Sequence, residues 1–321
     1  MNNNSIRLEN VSCSLGCDRN DKVLFSGHDL MHDLPGEYDV VKCCNCGLIR
    51  TNPRPTNESI GFYYPDNYEP YLSTIVNKDI KSSRTGIKQH LKPLVNRIFN
   101  SCGTTLPPIK PGKMLEIGCA SGSFLHHMAG NGWNVQGIEF SEKAASAAHK
   151  LGYKVQVGSL ESISQIDAYF DLIVGWMVLE HLHDPVGSLK KLRGWASPET
   201  WLVLSVPNAA SIEFQLFKDK GFALQLPNHL HHFTPQTLEQ VLLAGGWKLE
   251  KLYHQRTLNN FIGSLGYSLR NKGFINISNK LIKFPERGGL LVYILFPFAC
   301  LMSLFGQTGR MTAWARPVKI D

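Results

Sequence analysis

The last two-thirds of the sequence alternates short apolar segments with helical segments, beginning at residue 113. The apolar segments predict strands at 114–117, 134–138, 154–157, 170–176 and 201–206, and the segments beside them predict helices at 122–131, 141–151, 184–195 and 234–245. The fourth strand is almost entirely apolar, as expected of a strand that is buried on both faces. Repeated strand–helix units of this length predict an α/β fold, with a mostly parallel sheet and helices on both faces.

The first predicted strand leads into a turn, and residues 115–122 at this point read Leu-Glu-Ile-Gly-Cys-Ala-Ser-Gly. Gly118 and Gly122 bracket a tight loop in which the backbone can approach a ligand closely. A dinucleotide-binding fingerprint that starts at Gly118 needs glycine at two further positions, which hold Ala120 and Ser123. Glu116 precedes the loop, and a carboxylate there favours a cationic, amine-bearing ligand over a pyrophosphate.

A second acid, Glu139, ends the second predicted strand. It lies about 20 residues beyond the glycine turn, where an acid binds ribose hydroxyls in folds of this kind. Together, Glu116, the loop and Glu139 predict a ligand that is a nucleoside carrying an amino acid.

Residues 113–256 resemble the class I S-adenosylmethionine-dependent methyltransferases. Besides the glycine turn, the run Phe-Asp-Leu-Ile-Val-Gly-Trp-Met-Val-Leu-Glu-His-Leu-His-Asp-Pro at 170–185 is similar to the fourth-strand motif of the branch that includes ubiquinone-biosynthesis O-methyltransferases. The runs at 204–208 and 228–234 continue this likeness. The resemblance implies a Rossmann-like sheet and S-adenosylmethionine as cofactor.

In that family the first loop holds the methionine part, the second acid holds the ribose, and the segment matching 158–161 lines the adenine pocket. The residues predicted to bind the cofactor on this basis are Glu116, Gly118, Ala120, Gly122, Glu139, Ser159, Leu160 and Trp176. Ala120 stands where the family usually has a middle glycine.

Histidines follow two of the predicted strands. His181 comes after the fourth strand, and His229 and His232 lie on the connection after the fifth. Open α/β sheets bind ligands at the carboxyl ends of their strands, and imidazole is well suited to accept a proton near neutral pH. We predict these three histidines as catalytic candidates for methyl transfer to oxygen. A structural role for His181, and metal, substrate or loop roles for the other two, remain open at this point.

Five of the eight cysteines lie within the first fifty residues. Two close pairs, about 25 residues apart, suit a tetrahedral structural zinc in a small zinc-ribbon-like module. The predicted ligands are Cys13, Cys17, Cys43 and Cys46; Cys44 is an alternative to Cys43, and His28 or His32 is an alternative ligand. Reduced cysteines that pack as small hydrophobic residues are the alternative to zinc.

This layout, with Asn-Pro-Arg-Pro at 52–55 and Tyr-Tyr-Pro at 63–65, resembles the zinc-bearing N-terminal module of bacterial methyltransferases from sugar and surface-polysaccharide pathways. We therefore predict a zinc-binding module at 1–60 and a connector with a helix at 61–110. The methyltransferase domain follows at 111–321, with an apolar helical insertion at about 257–306 before the last strand.

The segment 288–309 contains no charged residue. Its nearly continuous apolar stretch, 290–305, is shorter than the roughly 20 residues needed to span a bilayer. Several lysines precede it, which favours peripheral docking on an anionic membrane surface. A buried helical pair over the active site, or a dimer contact, is the alternative.

The formal charge of +7 suits RNA, a membrane surface or a phosphorylated substrate, and selects none of them. The polar N-terminus lacks the layout of a secretory signal, so we expect a cytoplasmic protein, peripheral to the membrane if the apolar segment docks there. The predicted function is methylation of a small or lipid-linked, glycan-related metabolite. An RNA methyltransferase and a non-catalytic cofactor-fold binding protein are the alternatives; nucleic acid is disfavoured because no basic patch interleaved with aromatics lies near the histidines.

Overall fold

The computed structural model describes residues 6–64, 99–164, 166 and 169–318. The N-terminal part contains five short strands: β1 (Leu8–Glu9), β2 (Asp21–Gly27), β3 (Tyr38–Cys43), β4 (Ile49–Thr51) and β5 (Arg54–Pro55). Strands β2, β3 and β4 pair antiparallel, and β1 pairs with β5. Most of the connector helix predicted from the sequence, residues 76–98, falls outside the described residues.

The rest of the described chain adds eight strands: β6 (Lys113–Ile117), β7 (Asn134–Glu139), β8 (Lys154–Val157), β9 (Phe170–Trp176), β10 (Ala196–Pro207), β11 (His231–His232), β12 (Trp247–His254) and β13 (Arg310–Pro317). Seven of them form a central sheet in the order β12-β13-β10-β9-β6-β7-β8. Strands β6 to β10 run parallel, and β13 is antiparallel to both of its neighbours. The strand order switches direction between β6 and β9, and ligands bind open α/β sheets at such a point.

The helices are α1 (Ser123–Gly130), α2 (Glu142–Lys150), α3 (Pro185–Gly194), α4 (Ile212–Phe217), α5 (Pro235–Ala244), α6 (Asn259–Arg270), α7 (Ile275–Ile282), α8 (Phe284–Arg287) and α9 (Leu291–Leu304). Side chains cap four of the described helices, α2, α3, α4 and α5: Ser141, Asp184, Ser211 and Thr234 each accept a hydrogen bond from a backbone N–H of the first turn. Such caps satisfy N–H groups that have no partner inside the helix. None of the described helices is long and apolar enough to cross a membrane.

The central sheet is buried on both faces. Along β9, Leu172 and Val174 pack into one cluster with Met114 of β6, whereas Ile173 packs into another with Leu115. Successive side chains of a strand point to opposite faces, so this alternation fills both layers. The predicted α/β fold, a mostly parallel sheet with helices on both faces, is confirmed.

Strand β11 does not join the central sheet. It pairs antiparallel with β4, with His231 opposite Arg50 and His232 opposite Ile49. The N-terminal sheet, in the order β11-β4-β3-β2, is therefore completed by residues from the far half of the chain.

Candidate functional site

The loop between β6 and α1 turns through three residues with positive φ: Gly118 (66°), Ala120 (46°) and Gly122 (81°). A Cβ atom on Gly118 would lie 2.6 Å from Cγ2 of Val178, so a larger residue does not fit there. Ala120 adopts a left-handed conformation that costs an L-residue about 1–2 kcal/mol. Its backbone N–H donates a 2.8 Å hydrogen bond to Oε2 of Glu139, which stabilises this conformation.

Glu116 and Glu139 lie in the adjacent strands β6 and β7, and each is only 3% exposed. Glu139 also accepts a 2.8 Å hydrogen bond from the backbone N–H of Ser141. Oε2 of Glu116 is buried and has no hydrogen-bond partner among the described residues. Burial raises the pKa of both carboxyl groups, and for Glu116 the neighbouring Glu139 raises the pKa further. A buried oxygen without a hydrogen-bond partner is rare in proteins. A cationic or hydroxyl-bearing ligand at this loop would donate the missing hydrogen bond.

The segment after β8 is tied to Glu139, whose carbonyl accepts a 2.8 Å hydrogen bond from the N–H of Gly158. Farther along, the Lys191 ammonium donates to the carbonyls of Leu160, Glu161 and Ile163 at 2.8–3.0 Å. Three carbonyls use all three N–H groups of a lysine. The Leu160 side chain packs in the core, so of the two residues predicted for adenine contact only Ser159 keeps a partly exposed side chain.

Trp176 ends β9 beside the glycine loop. Its ring contacts Phe124 of α1 edge to face, with ring centroids 5.2 Å apart. Its indole Nε1 is buried, and no described residue forms a hydrogen bond with it. This donor and Oε2 of Glu116 are both polar atoms that a bound molecule would satisfy.

Two of the predicted histidines contact each other at the carboxyl end of the sheet. The rings of His181 and His229 pack edge to face with centroids 4.6 Å apart. His181 Nδ1 lies 3.0 Å from the carbonyl of Asn228 and 2.8 Å from the hydroxyl of Tyr64. Glu180 Oε1 lies 4.0 Å from His229 Nε2. The loops that follow β9 and β10 thus converge, as the sequence predicted.

Glu180, His181 and His229 also form a candidate metal group, because one ligand atom of each lies within 4.8 Å of the others. His229 Nδ1 lies 2.8 Å from the carbonyl of Ala223. A carbonyl only accepts, so Nδ1 carries the hydrogen and Nε2 keeps its lone pair. That nitrogen can accept a proton or bind a metal ion.

Burial shifts the protonation of this cluster. It lowers the pKa of His181 to about 4 and that of His232 to about 3, and it lowers the pKa of His229 well below its usual range. Burial raises the pKa of Glu180 to about 8, and both carboxyl oxygens lack a hydrogen-bond partner in the part of the chain that the structure describes. The imidazoles are therefore neutral at physiological pH and keep an available lone pair. Glu180 was not predicted from the sequence, because no local pattern indicates that this residue is buried.

A pocket opens at the carboxyl end of β10, beside the histidine loop. It is lined by Pro207, Asn208, Ala209, Glu213, Phe214, Gly221, Ala223, Leu224, His232 and Gly309. Burial raises the pKa of Glu213 to about 8, an effect that the Arg310 guanidinium opposes. Arg310 reaches this end of the sheet because β13 is antiparallel and places it opposite Pro207. Neither Glu213 nor Arg310 was predicted.

The four predicted zinc ligands come together. The Sγ atoms of Cys13, Cys17, Cys43 and Cys46 all lie within 4.8 Å of one another, and those of Cys13 and Cys46 are 3.4 Å apart. Cys44 is exposed and lies outside the group. His28 and His32 are not members of any metal-type cluster within the described ranges.

The backbone shapes both cysteine pairs. Gly16 and Gly47 adopt positive φ, which glycine tolerates, and their N–H groups donate to the carbonyls of Cys13 and Cys43. Burial raises the pKa of the Cys43 thiol, but backbone hydrogen bonds from Cys46 and Asn45 outweigh it and bring the pKa to about 7. Four sulfur donors at this spacing match the ligand set of a structural zinc site.

Comparison with known proteins gives a match to one protein family. Residues 86–252, just over half of the chain, match the family described as a methyltransferase domain. The ubiquinone biosynthesis O-methyltransferase of Thiobacillus denitrificans is 27% identical over 161 residues, which cover 46% of this chain and 69% of that protein. The enzyme of the same name from Azorhizobium caulinodans is 25% identical over 174 residues, covering 50% and 69%. A solved S-adenosylmethionine-dependent methyltransferase from Mesorhizobium loti is similar with a TM-score of 0.45 and 15% identity, over 70% of this chain and 97% of that one.

Proposed function

This chain belongs to the methyltransferase domain family and is an S-adenosylmethionine-dependent methyltransferase, and from that premise we propose that it methylates a hydroxyl oxygen of a small acceptor molecule. The observation that carries the proposal is the meeting of His181 and His229 at the carboxyl end of the sheet. Ligands of open α/β sheets bind at this end. The O-methyltransferase names of these two relatives agree with oxygen as the accepting atom.

The cofactor fits the loop after β6. Within the described part of the chain, Oε2 of Glu116 and Nε1 of Trp176 are buried without partners, and Gly118 allows the tight turn because Val178 packs where a side chain would lie. Glu139 and Ser159 are proposed to complete the site on the ribose and adenine side. When bound, S-adenosylmethionine supplies a methyl group that is already activated, so the chain's main task is to align the acceptor oxygen.

The proton of the acceptor hydroxyl is proposed to pass to a histidine. The Nδ1–H of His181 is held by the carbonyl of Asn228, which leaves Nε2 as an acceptor. Glu180, next to His229, offers a second proton site whose pKa lies close to neutral. A cluster of unequal bases can take the proton and then pass it on, which is the arrangement that general base catalysis needs.

His181→Asn is expected to lower the turnover number by about 100-fold or more, because the asparagine amide can replace Nδ1–H but not the Nε2 lone pair. Affinity for S-adenosylmethionine, measured by titration calorimetry, should stay within about twofold of wild type. His127→Asn, at an exposed histidine of α1, is the matched control. Full turnover of His181→Asn with bound cofactor would rule out the base role.

We also propose that the acceptor is glycan-related and lipid-linked, and that the protein meets it at a membrane surface through 288–309. Most of α9 and the residues that flank it are exposed and apolar: Leu290 is 80% exposed, Ile294 66%, Phe298 62% and Leu304 80%, and Leu291, Val292, Tyr293, Leu301 and Phe305 are also exposed. Exposed lysines precede the helix at 272, 280 and 283. An apolar face beside basic residues is typical of helices that lie in an anionic interface.

Ile294→Asp is expected to weaken binding to vesicles of phosphatidylcholine and phosphatidylserine about tenfold, because it puts an anion into the apolar face. Co-sedimentation with vesicles measures this. Leu243→Asp, at a 60% exposed position of α5, is the matched control and should bind as wild type does. If wild-type protein does not bind these vesicles, the membrane proposal is wrong and a free sugar becomes the better acceptor.

A transfer assay with labelled cofactor tests the acceptor class directly. Glycan, lipid-linked, quinone and RNA extracts are offered separately. We expect label in the lipid-linked or glycan fraction. Label in RNA would instead favour an RNA methyltransferase, and cofactor binding without label in any fraction would favour a non-catalytic binding protein.

We further propose that Cys13, Cys17, Cys43 and Cys46 hold one structural zinc ion. The close approach of their four Sγ atoms supports this proposal. Four thiolates leave no open coordination position, so the metal is expected to have no direct catalytic role.

A further inference from the structure

The N-terminal sheet contacts the histidine loop through β4. Besides the pairing of β4 with β11, the backbone N–H of Thr51 donates a 3.0 Å hydrogen bond to the carbonyl of Leu230. The side chain of Ser14, next to Cys13, lies 2.8 Å from Nε2 of His231. The loop that presents His229 and His232 is therefore held by residues more than 170 positions earlier in the chain.

The hydroxyl of Thr51 contacts both of these histidines. Thr51 is fully buried, and its Oγ1 lies 2.8 Å from the carbonyl of His229 and 3.2 Å from Nε2 of His232. The carbonyl can only accept, so the hydroxyl hydrogen points to His229. The oxygen is then an acceptor toward His232, which must donate from Nε2–H.

This hydrogen bond determines which nitrogen of His232 can accept a proton. With the hydrogen on Nε2, a neutral imidazole keeps its lone pair on Nδ1. His232 lines the pocket at the end of β10 together with Glu213. A hydroxyl that reached Nδ1 of His232 would meet a lone pair that accepts a hydrogen bond, with no N–H on that atom to compete as a donor.

We propose that Thr51 is a positioning residue for methyl transfer: it fixes the tautomer of His232 and the course of the histidine loop, so that the N-terminal module supports a residue that lines the pocket. The part that concerns turnover rests on the proposed function. The tautomer itself is a property of the resting protein.

Two substitutions distinguish the effect of the Thr51 hydroxyl from the effect of the volume of its side chain. Thr51→Val keeps the shape and removes the hydroxyl, whereas Thr51→Ser keeps the hydroxyl. In the full-length, metal-loaded protein we expect Thr51→Val to lower turnover at least about tenfold, with cofactor affinity and zinc content unchanged. Thr51→Ser should stay within about threefold of wild type.

Nitrogen-15 NMR of the imidazole rings tests the tautomer directly. His232, assigned by comparison with His232→Asn, should carry its hydrogen on Nε2 in wild type and in Thr51→Ser. In Thr51→Val we expect a mixture of tautomers. The tautomer of His232 can therefore be tested separately from the proposed function. If the His181→Asn variant is active, the base role of His181 is wrong, but the expected tautomer of His232 stays the same.

Three outcomes would overturn the inference. One is a wild-type His232 with hydrogen on Nδ1, which can be observed even if Thr51→Val fails to fold. Another is equal loss of turnover in Thr51→Val and Thr51→Ser, which would mean that packing matters and the hydroxyl does not. The third is Thr51→Val with full turnover.

Discussion

Cys46→Ser is expected to lose the metal and to unfold the N-terminal sheet. The strands of this sheet are short, and a structural zinc site supplies a large share of the folding free energy of such modules, on the order of 10 kcal/mol. Serine cannot replace a thiolate ligand, and the three remaining thiolates would repel one another in a partly buried cluster. Metal analysis should give about one zinc per wild-type chain and none for the variant.

Cys44→Ser provides a matched control, because Cys44 adjoins a ligand but is exposed and lies outside the cluster. It should keep the zinc and the thermal unfolding midpoint of wild type. Since β11 pairs with β4, loss of the metal should also reduce turnover more than cofactor affinity. A protein that stays folded and active after dialysis against a strong chelator would show that the zinc proposal is wrong.

Glu139→Ala is expected to raise the dissociation constant for S-adenosylmethionine by about 100-fold or more, which corresponds to about 2.7 kcal/mol. The substitution removes the proposed ribose contact. It also frees the backbone N–H of Ala120, whose hydrogen bond to Glu139 supports a left-handed residue in the glycine loop. Both losses weaken the binding of S-adenosylmethionine, and titration calorimetry measures their combined effect on its dissociation constant.

Glu142→Ala removes an exposed carboxylate three residues later, in the first turn of α2, and should leave cofactor affinity within about twofold of wild type. Glu139→Gln keeps the size of the side chain, and its dissociation constant for S-adenosylmethionine should lie between those of Glu139→Ala and Glu142→Ala. If Glu139→Ala binds the cofactor as tightly as wild type does, the assignment of this residue is wrong.

The parallel strands of the central sheet, β6 to β10, could be predicted because their signals are local, whereas β12 was not predicted. Apolar runs such as 170–176, and caps such as Ser141 and Thr234, act within a few residues of one another. The glycine loop is local too, since a turn between a strand and the next helix restricts which residues fit at Gly118 and Gly122. The α/β fold was predicted from these segments and S-adenosylmethionine-dependent methyl transfer from the family resemblance, and both are confirmed.

The cysteine cluster was almost, but not fully, predictable. Spacing selected two pairs, and it could not choose between the neighbours Cys43 and Cys44. Adjacent residues of an extended chain point to opposite sides, so one of the two is buried and the other exposed. Which of them faces the first pair depends on how β3 lies against the N-terminal segment, and only the folded chain decides that.

The sequence by itself determined the βα units, the glycine loop and the cysteine pairs, because each depends on residues that are close in the chain. Tertiary structure alone decided that β11 completes the N-terminal sheet and that Thr51 contacts the histidine loop. It also decided the basicity of the site. Histidine was predicted as the base from its ordinary pKa, but burial lowers the pKa of His181 and raises that of Glu180. Desolvation penalises whichever form is charged, and its size depends on the surrounding atoms, which come from distant parts of the chain.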